Sequence, residues 1–201
     1  MIYLASRSPR RRELLMQMGV KFEPLLFREG SRQAADTDEA VRPGESPDDY
    51  VRRVTLMKAA AAWQRVVMRG GLQRKPVLAA DTTVALAGEI LGKPADRADA
   101  ARILKILSGN RHRVLTAVAM QFDSRVEMTV SESLVTFAAL DDERIAAYVA
   151  SGEPFDKAGA YAIQGRAGAF VERLEGSYTG VMGLPLYETA NLLRLFGVTV
   201  P

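Results

Sequence analysis

Short apolar runs take turns along this chain with stretches in which apolar side chains recur every three to four residues, a pattern that predicts alternating strands and helices. Residues 2–5 read as a short buried strand. Ser8 then caps a helix with Pro9 in its first position, Leu14, Leu15 and Met18 on its buried face, and Gly19 just beyond its end. Residues 20–26 are strand-like and pass into a polar loop, 27–45, which carries Asp36, Asp38 and Glu39 and is a candidate lid. Ser46, Pro47 and Asp49 start a second capped helix that continues through Val51, Val54, Lys58 and Ala62, until Pro76 breaks the pattern. Residues 77–80 form a buried strand expected to deliver Asp81 at its C-terminal end, and 82–86 run on to a turn at Ala87 and Gly88. A third helix follows Asp96, with Ala100, Ile103, Leu104 and Leu107 inward and Ser108 and Gly109 as its stop. Residues 111–122 and 125–140, joined at Asp123 and Ser124, read as an antiparallel hairpin. Asp141 opens a short helix closed at Gly152, and a last helix spans about 185–196. The alternation predicts an α/β fold with a mixed sheet.

Composition narrows the chemistry. A chain of 201 residues that is 48% hydrophobic can bury one domain-sized core, and no repeat, low-complexity tract or long linker divides it, so residues 1–201 are expected to form a single domain. There is no cysteine and one histidine, His112, which removes disulfides and thiolate metal sites and leaves oxygen ligands, suited to magnesium or manganese. No apolar run has the length of a membrane span, and the apolar residues before Arg7 are too few for a signal-peptide core, so a cytoplasmic protein without a membrane partner is expected. A net charge of +3 suits an anionic ligand but falls short of the dense basic stripe of a dedicated nucleic-acid binder.

The densest chemical signal is residues 4–15, LASRSPRRRELL: a strand, a hydroxyl-bearing turn, and a helix whose first turn holds Arg10, Arg11 and Arg12. Cations there oppose the helix dipole and add to its unpaired N–H groups, an unfavourable arrangement that a bound polyphosphate would relieve. The plain alternative is a solvated arginine patch. Asp81 can bind metal or activate water at the edge of a ligand crevice, or can merely cap a turn. Glu39 in the polar loop is a second acidic candidate. Lys58, Lys93 and Lys157 can each bring a point charge to a phosphate or simply face solvent, and Lys93 sits between Gly92 and Pro94 in a stiff turn. The Gln164 amide can pair with a pyrimidine edge. His112 reads as structural or, at most, as lining a cleft. The chain contains no Walker phosphate loop, no dinucleotide-binding glycine fingerprint, no paired-histidine zinc motif and no nucleophile elbow.

These pieces together resemble the Maf family of nucleotide pyrophosphatases along nearly the whole chain. The likeness is carried by residues 4–15, Tyr50 through Lys58 and Ala59, Ala80-Asp81-Thr82, Leu91-Gly92-Lys93-Pro94 with Leu107-Ser108-Gly109, and 152–165. The resemblance implies an elongated mixed sheet flanked by helices, two lobes with a central cleft, and a homodimer. It implies hydrolysis of a nucleoside triphosphate substrate with a divalent metal, Asp81 as general base, Ser8, Arg11, Lys58 and Lys93 on the phosphates, and Glu39 with Asp81 on the metal. Arg10, Thr82 and Gln164 fall on the positions that separate substrate classes, and this set is similar to the dTTP/UTP branch rather than the 7-methyl-GTP branch. Arg7, Thr83, Ala138 and Ala162 depart from the family's usual residues. Two rival readings are a nucleotide-binding regulator of septum formation and an RNA-binding module built on the arginine-rich helix; the second lacks interleaved surface aromatics.

Overall fold

A computed structural model describes residues 1–25, 39–69 and 71–200. Most of the candidate lid, with Asp36 and Asp38, and Leu26 of the second strand-like run lie outside the described residues.

Among the described residues, seven strands form one mixed sheet: β1 (Ile2–Leu4), β2 (Phe22–Pro24), β3 (Val77–Leu86), β4 (Glu89–Leu91), β5 (Arg111–Phe122), β6 (Arg125–Phe137) and β7 (Val171–Glu175). The order is β2-β1-β3-β5-β6-β7, with β4 added beside β3. The helices are α1 (Pro9–Gln17), α2 (Pro47–Met68), α3 (Arg97–Leu107), α4 (Asp142–Ala150), α5 (Tyr178–Met182) and α6 (Leu186–Leu195). No helix among the described residues is long and apolar enough to cross a membrane.

The expected helix starts are met by side-chain caps: Ser8 accepts from the Arg11 amide, Ser46 from Asp49, Asp96 from Asp99 and Asp141 from Arg144. Residues on alternate faces of β3 build separate cores. Leu78 and Ala80 pack with Val118 and Met120 against Leu14, Leu15 and Leu193, while Val77 packs with Ala62 and Trp63 of α2. At the other end, α3 and α4 close a third core around Phe137, Tyr161 and Phe170.

One expectation needs correction. Asp81 is not at a strand end but in the middle of the ten-residue β3. The strand does not stop there because β5 pairs along it from Val77 to Ala85. Its other edge changes partner. β1 runs parallel to it only as far as Leu4 opposite Leu78, and β4 runs antiparallel from Leu91 opposite Val84. Between these partners one edge of β3 is open, and Asp81 sits in the gap.

His112 is a core residue. Its Nε2 lies 2.8 Å from the Tyr161 hydroxyl, and its ring meets Phe137 edge-on with centroids 5.1 Å apart. Burial pushes its pKa down to about 4. The native state therefore holds His112 neutral where the unfolded chain would take up a proton, so the stability this creates is present above about pH 6.5 and lost as pH falls toward 4. Thermal unfolding followed across that interval is expected to show a loss of up to about 3 kcal/mol from this group, and His112→Asn a shallower acid dependence.

Candidate active site

The gap in the β3 edge opens into a cleft of about 1450 Å³. One wall is the turn after β1 with the start of α1; the other is the turn after β4 with residues 155–161. That second wall is drawn in by a close approach at Gly159. Its φ is +69°, its amide donates to the Gly92 carbonyl at 3.1 Å, and a Cβ would lie 2.8 Å from Val84 Cγ2. Glycine is needed there for both conformation and space, and the contact brings Lys93 and Lys157 to the same wall.

Among the described residues, six basic side chains line the cleft, Arg7, Arg10, Arg11, Lys58, Lys93 and Lys157, against three acidic ones, Glu39, Asp81 and Asp156. On the floor, Lys58 Nζ of α2 donates to Asp81 Oδ1 at 2.6 Å and lies 3.0 Å from Glu39 Oε1. Asp81 points toward α2 because odd positions of β3 share that face. Its Oδ2 has no hydrogen-bond partner among the described residues. The Tyr50 hydroxyl donates to the Glu39 carbonyl at 3.0 Å; burial first, then the Asp81 and Glu39 charges, push its pKa up to about 12, so it remains a donor.

Arg11 behaves differently from a plain phosphate ligand. Its Nε donates to the Gly183 carbonyl at 2.8 Å, Nη1 to Ser6 Oγ at 3.3 Å and Nη2 to Thr82 Oγ1 at 3.2 Å. Thr82 in turn lies 3.0 Å from Thr116 Oγ1, which donates to the Gly180 carbonyl at 2.7 Å. Because Thr116 has only one proton to give, Thr82 donates to it and accepts from Arg11. Burial lowers the Arg11 pKa, with the Asp81 charge opposing.

Ser8, Arg10 and Lys93 line the cleft. Burial lowers the pKa of Arg10, and burial followed by the Arg10 charge lowers that of Lys157. Arg10 and Lys157 thus line opposite walls of the cleft as like charges. Gln164 is the exception: it is exposed and does not line the cleft. Its turn is held by Glu153, whose carboxylate accepts from the Tyr148 hydroxyl at 2.9 Å and the Arg166 amide at 3.1 Å. A Cβ on Gly165 would lie 2.3 Å from Glu153 Oε1.

Sequence reasoning missed Ser6, whose buried Oγ accepts from both the Ser8 amide and Arg11. Its place two residues before the helix cap was the available signal. The buried Thr83 hydroxyl has no partner among the described residues, and nothing in the structure explains it.

The family model described as "Maf-like protein" matches residues 1–196. A protein of Aromatoleum aromaticum named dTTP/UTP pyrophosphatase is 59% identical, covering 98% of this chain and 95% of that protein. Proteins of the same name from Dechloromonas aromatica and Cupriavidus metallidurans are 57% and 58% identical, each covering 98% of this chain and 97% of the relative. Among solved structures, the Staphylococcus aureus Ham1 protein aligns with a TM-score of 0.45 at 16% identity, over 84% of this chain and 90% of that one, a likeness too distant to carry weight.

Proposed function

The chain belongs to the Maf family, and we propose that it hydrolyses dTTP, UTP and related pyrimidine nucleoside triphosphates to the nucleoside monophosphate and pyrophosphate. The observation that carries the reading is the cleft itself: among the described residues, six basic side chains line it together with a strand carboxylate, Asp81, whose Oδ2 has no hydrogen-bond partner. Such a surface suits a polyanion and a water to be deprotonated.

In this mechanism Asp81 Oδ2 takes the proton of a water attacking the α-phosphorus. The water oxygen–phosphorus bond forms, the bond from phosphorus to the bridging oxygen breaks, and pyrophosphate leaves with the electron pair. Lys93 and Lys157 on one wall and Arg10 on the other stabilise the charge that accumulates on the leaving group. Lys58 holds Asp81 and Glu39 in place, and Ser8 orders the first turn of α1 beneath the phosphates. Arg11 sets the wall through Thr82 and Gly183.

Magnesium or manganese fits the donors: the carboxylates of Glu39 and Asp81 already converge on one cation, the Lys58 ammonium. No cluster of three or more potential metal ligands occurs among the described residues, so phosphate oxygens would complete the coordination. Bound there, the ion would neutralise phosphate charge and polarise the reacting phosphoryl group.

We place the activity in a cytoplasmic homodimer, following the resemblance; light scattering on the purified protein tests the assembly. The test of function is pyrophosphate release from a panel of pyrimidine, purine and 7-methylated triphosphates with magnesium or manganese present. Release fastest from dTTP and UTP, and abolished by a chelator, is expected. Binding of dTTP without release would favour the regulatory reading instead.

A further inference from the structure

We infer that Arg53 is a positioning residue for the reaction, holding Glu39 in the cleft through a clip it forms with Glu45. The inference rests on the proposed function in one respect, that Glu39 works in the cleft. Glu39 reaches Lys58 from a loop, and a loop carboxylate serves a site only if its backbone is fixed.

The fixing comes from one face of α2. Tyr50 and Arg53, three residues apart, point together at residues 39–45. Tyr50 holds the Glu39 carbonyl, and Arg53 Nη2 donates to the next one, Ala40, at 2.9 Å. Consecutive carbonyls on the C-terminal side of the Glu39 side chain are thereby tied to the helix that carries Lys58. The same guanidinium grips Glu45 with both arms, Nε to Oε1 at 2.5 Å and Nη2 to Oε2 at 2.8 Å, and Glu45 Oε2 accepts from the Arg42 amide at 3.1 Å. The segment is closed into a loop at both ends.

This is no exposed surface pair. The Arg53 and Glu45 side chains are 14% and 7% accessible, and a planar fork on a carboxylate is the geometry that fixes orientation as well as distance. The Arg53 hydrogen bond holds the Glu45 carboxyl down at about 2, so the clip remains ionised at any working pH. Neither residue lines the cleft. Arg53 therefore acts through Glu39 and not on the substrate.

The test is a double-mutant cycle on the full chain, read as kcat and KM for dTTP. Arg53→Met keeps an apolar stem and removes the fork; it is expected to lower kcat about tenfold, as loss of a residue that orients a site group commonly does. Arg53→Lys, which cannot reach Glu45 and Ala40 together, is expected to recover little. In a Glu39→Gln background, itself impaired, Arg53→Met should cause no further loss. An equal loss in both backgrounds would mean a general structural role and overturn the inference, as would Arg53→Met with unaltered kcat. Full activity in Glu39→Gln alone would instead overturn the role of Glu39 in the proposed function, and the inference with it. Should Arg53→Met fail to fold, Glu45→Gln and Tyr50→Phe complete the same cycle.

Discussion

Asp81→Asn is expected to slow pyrophosphate release from dTTP by about 100- to 10,000-fold, the range over which a positioned general base contributes. The substitution keeps the shape of the side chain in the middle of β3 and removes only its charge and its capacity to take a proton. Lys58 keeps a partner in Glu39, 3.0 Å away, so the floor of the cleft is not left with an uncompensated ammonium. Melting temperature should change little. Taking a negative charge from a cleft already rich in cations should also leave dTTP binding, measured by titration calorimetry with metal chelated, as tight as before or tighter. Loss of turnover with retained binding separates a chemical role from a binding one. Turnover at the unaltered rate would remove Asp81 from the reaction.

The second large effect is expected at Arg11, and mainly on stability. Its guanidinium joins α1 to β3 through Thr82, to the turn after α5 through Gly183, and to the turn after β1 through Ser6. Arg11→Met would strip the donors from three acceptors, among them Thr82, which relays onward to Thr116 and the Gly180 carbonyl. Hydrogen bonds to a charged group contribute more than neutral ones, and a cost of about 3 kcal/mol is expected, lowering Tm by about 6–12 °C in a domain of this size. Arg11→Lys cannot span the three acceptors and should recover only a minor part. A scanning-calorimetry Tm unchanged in Arg11→Met would show that the network is incidental. A fall in Tm together with a raised KM for dTTP would show that the brace also sets the phosphate wall.

Arg11 also shows what could be read from the sequence and what could not. Three arginines at a helix start announce an anion site because the helix dipole and the unpaired N–H groups are local facts. Nothing local shows that Arg11 is bound into the fold at the cleft wall, that Arg10 also lines the cleft, or that Arg12 stays off the lining and bonds the Arg7 carbonyl. The helix starts at Ser8, Ser46, Asp96 and Asp141 were legible for the same reason, each cap bonding an amide three residues on. The short strands β4 and β7 and the short helix α5 were not foreseen. Three to five residues carry little periodicity, and these strands exist because β3 and β6 offer them an edge.

By itself, the sequence determined the local order of strands and helices, the absence of thiolate chemistry, the positive balance of the surface, and the motif blocks that mark the family. These follow from side-chain chemistry within a few residues of each position. Only the tertiary structure decided that Asp81 lies within a continuous strand, at the place where β1 ends and β4 begins along one edge. It alone paired Lys58 with both Glu39 and Asp81, turned Arg11 into a brace, and left Gln164 exposed and outside the cleft lining. The physical reason is that a cleft exists where strand partners fail to overlap. That mismatch depends on how far β1, more than seventy residues earlier in the chain, runs along β3 before the local β3–β4 hairpin takes over the same edge, and no local pattern encodes the first of these pairings.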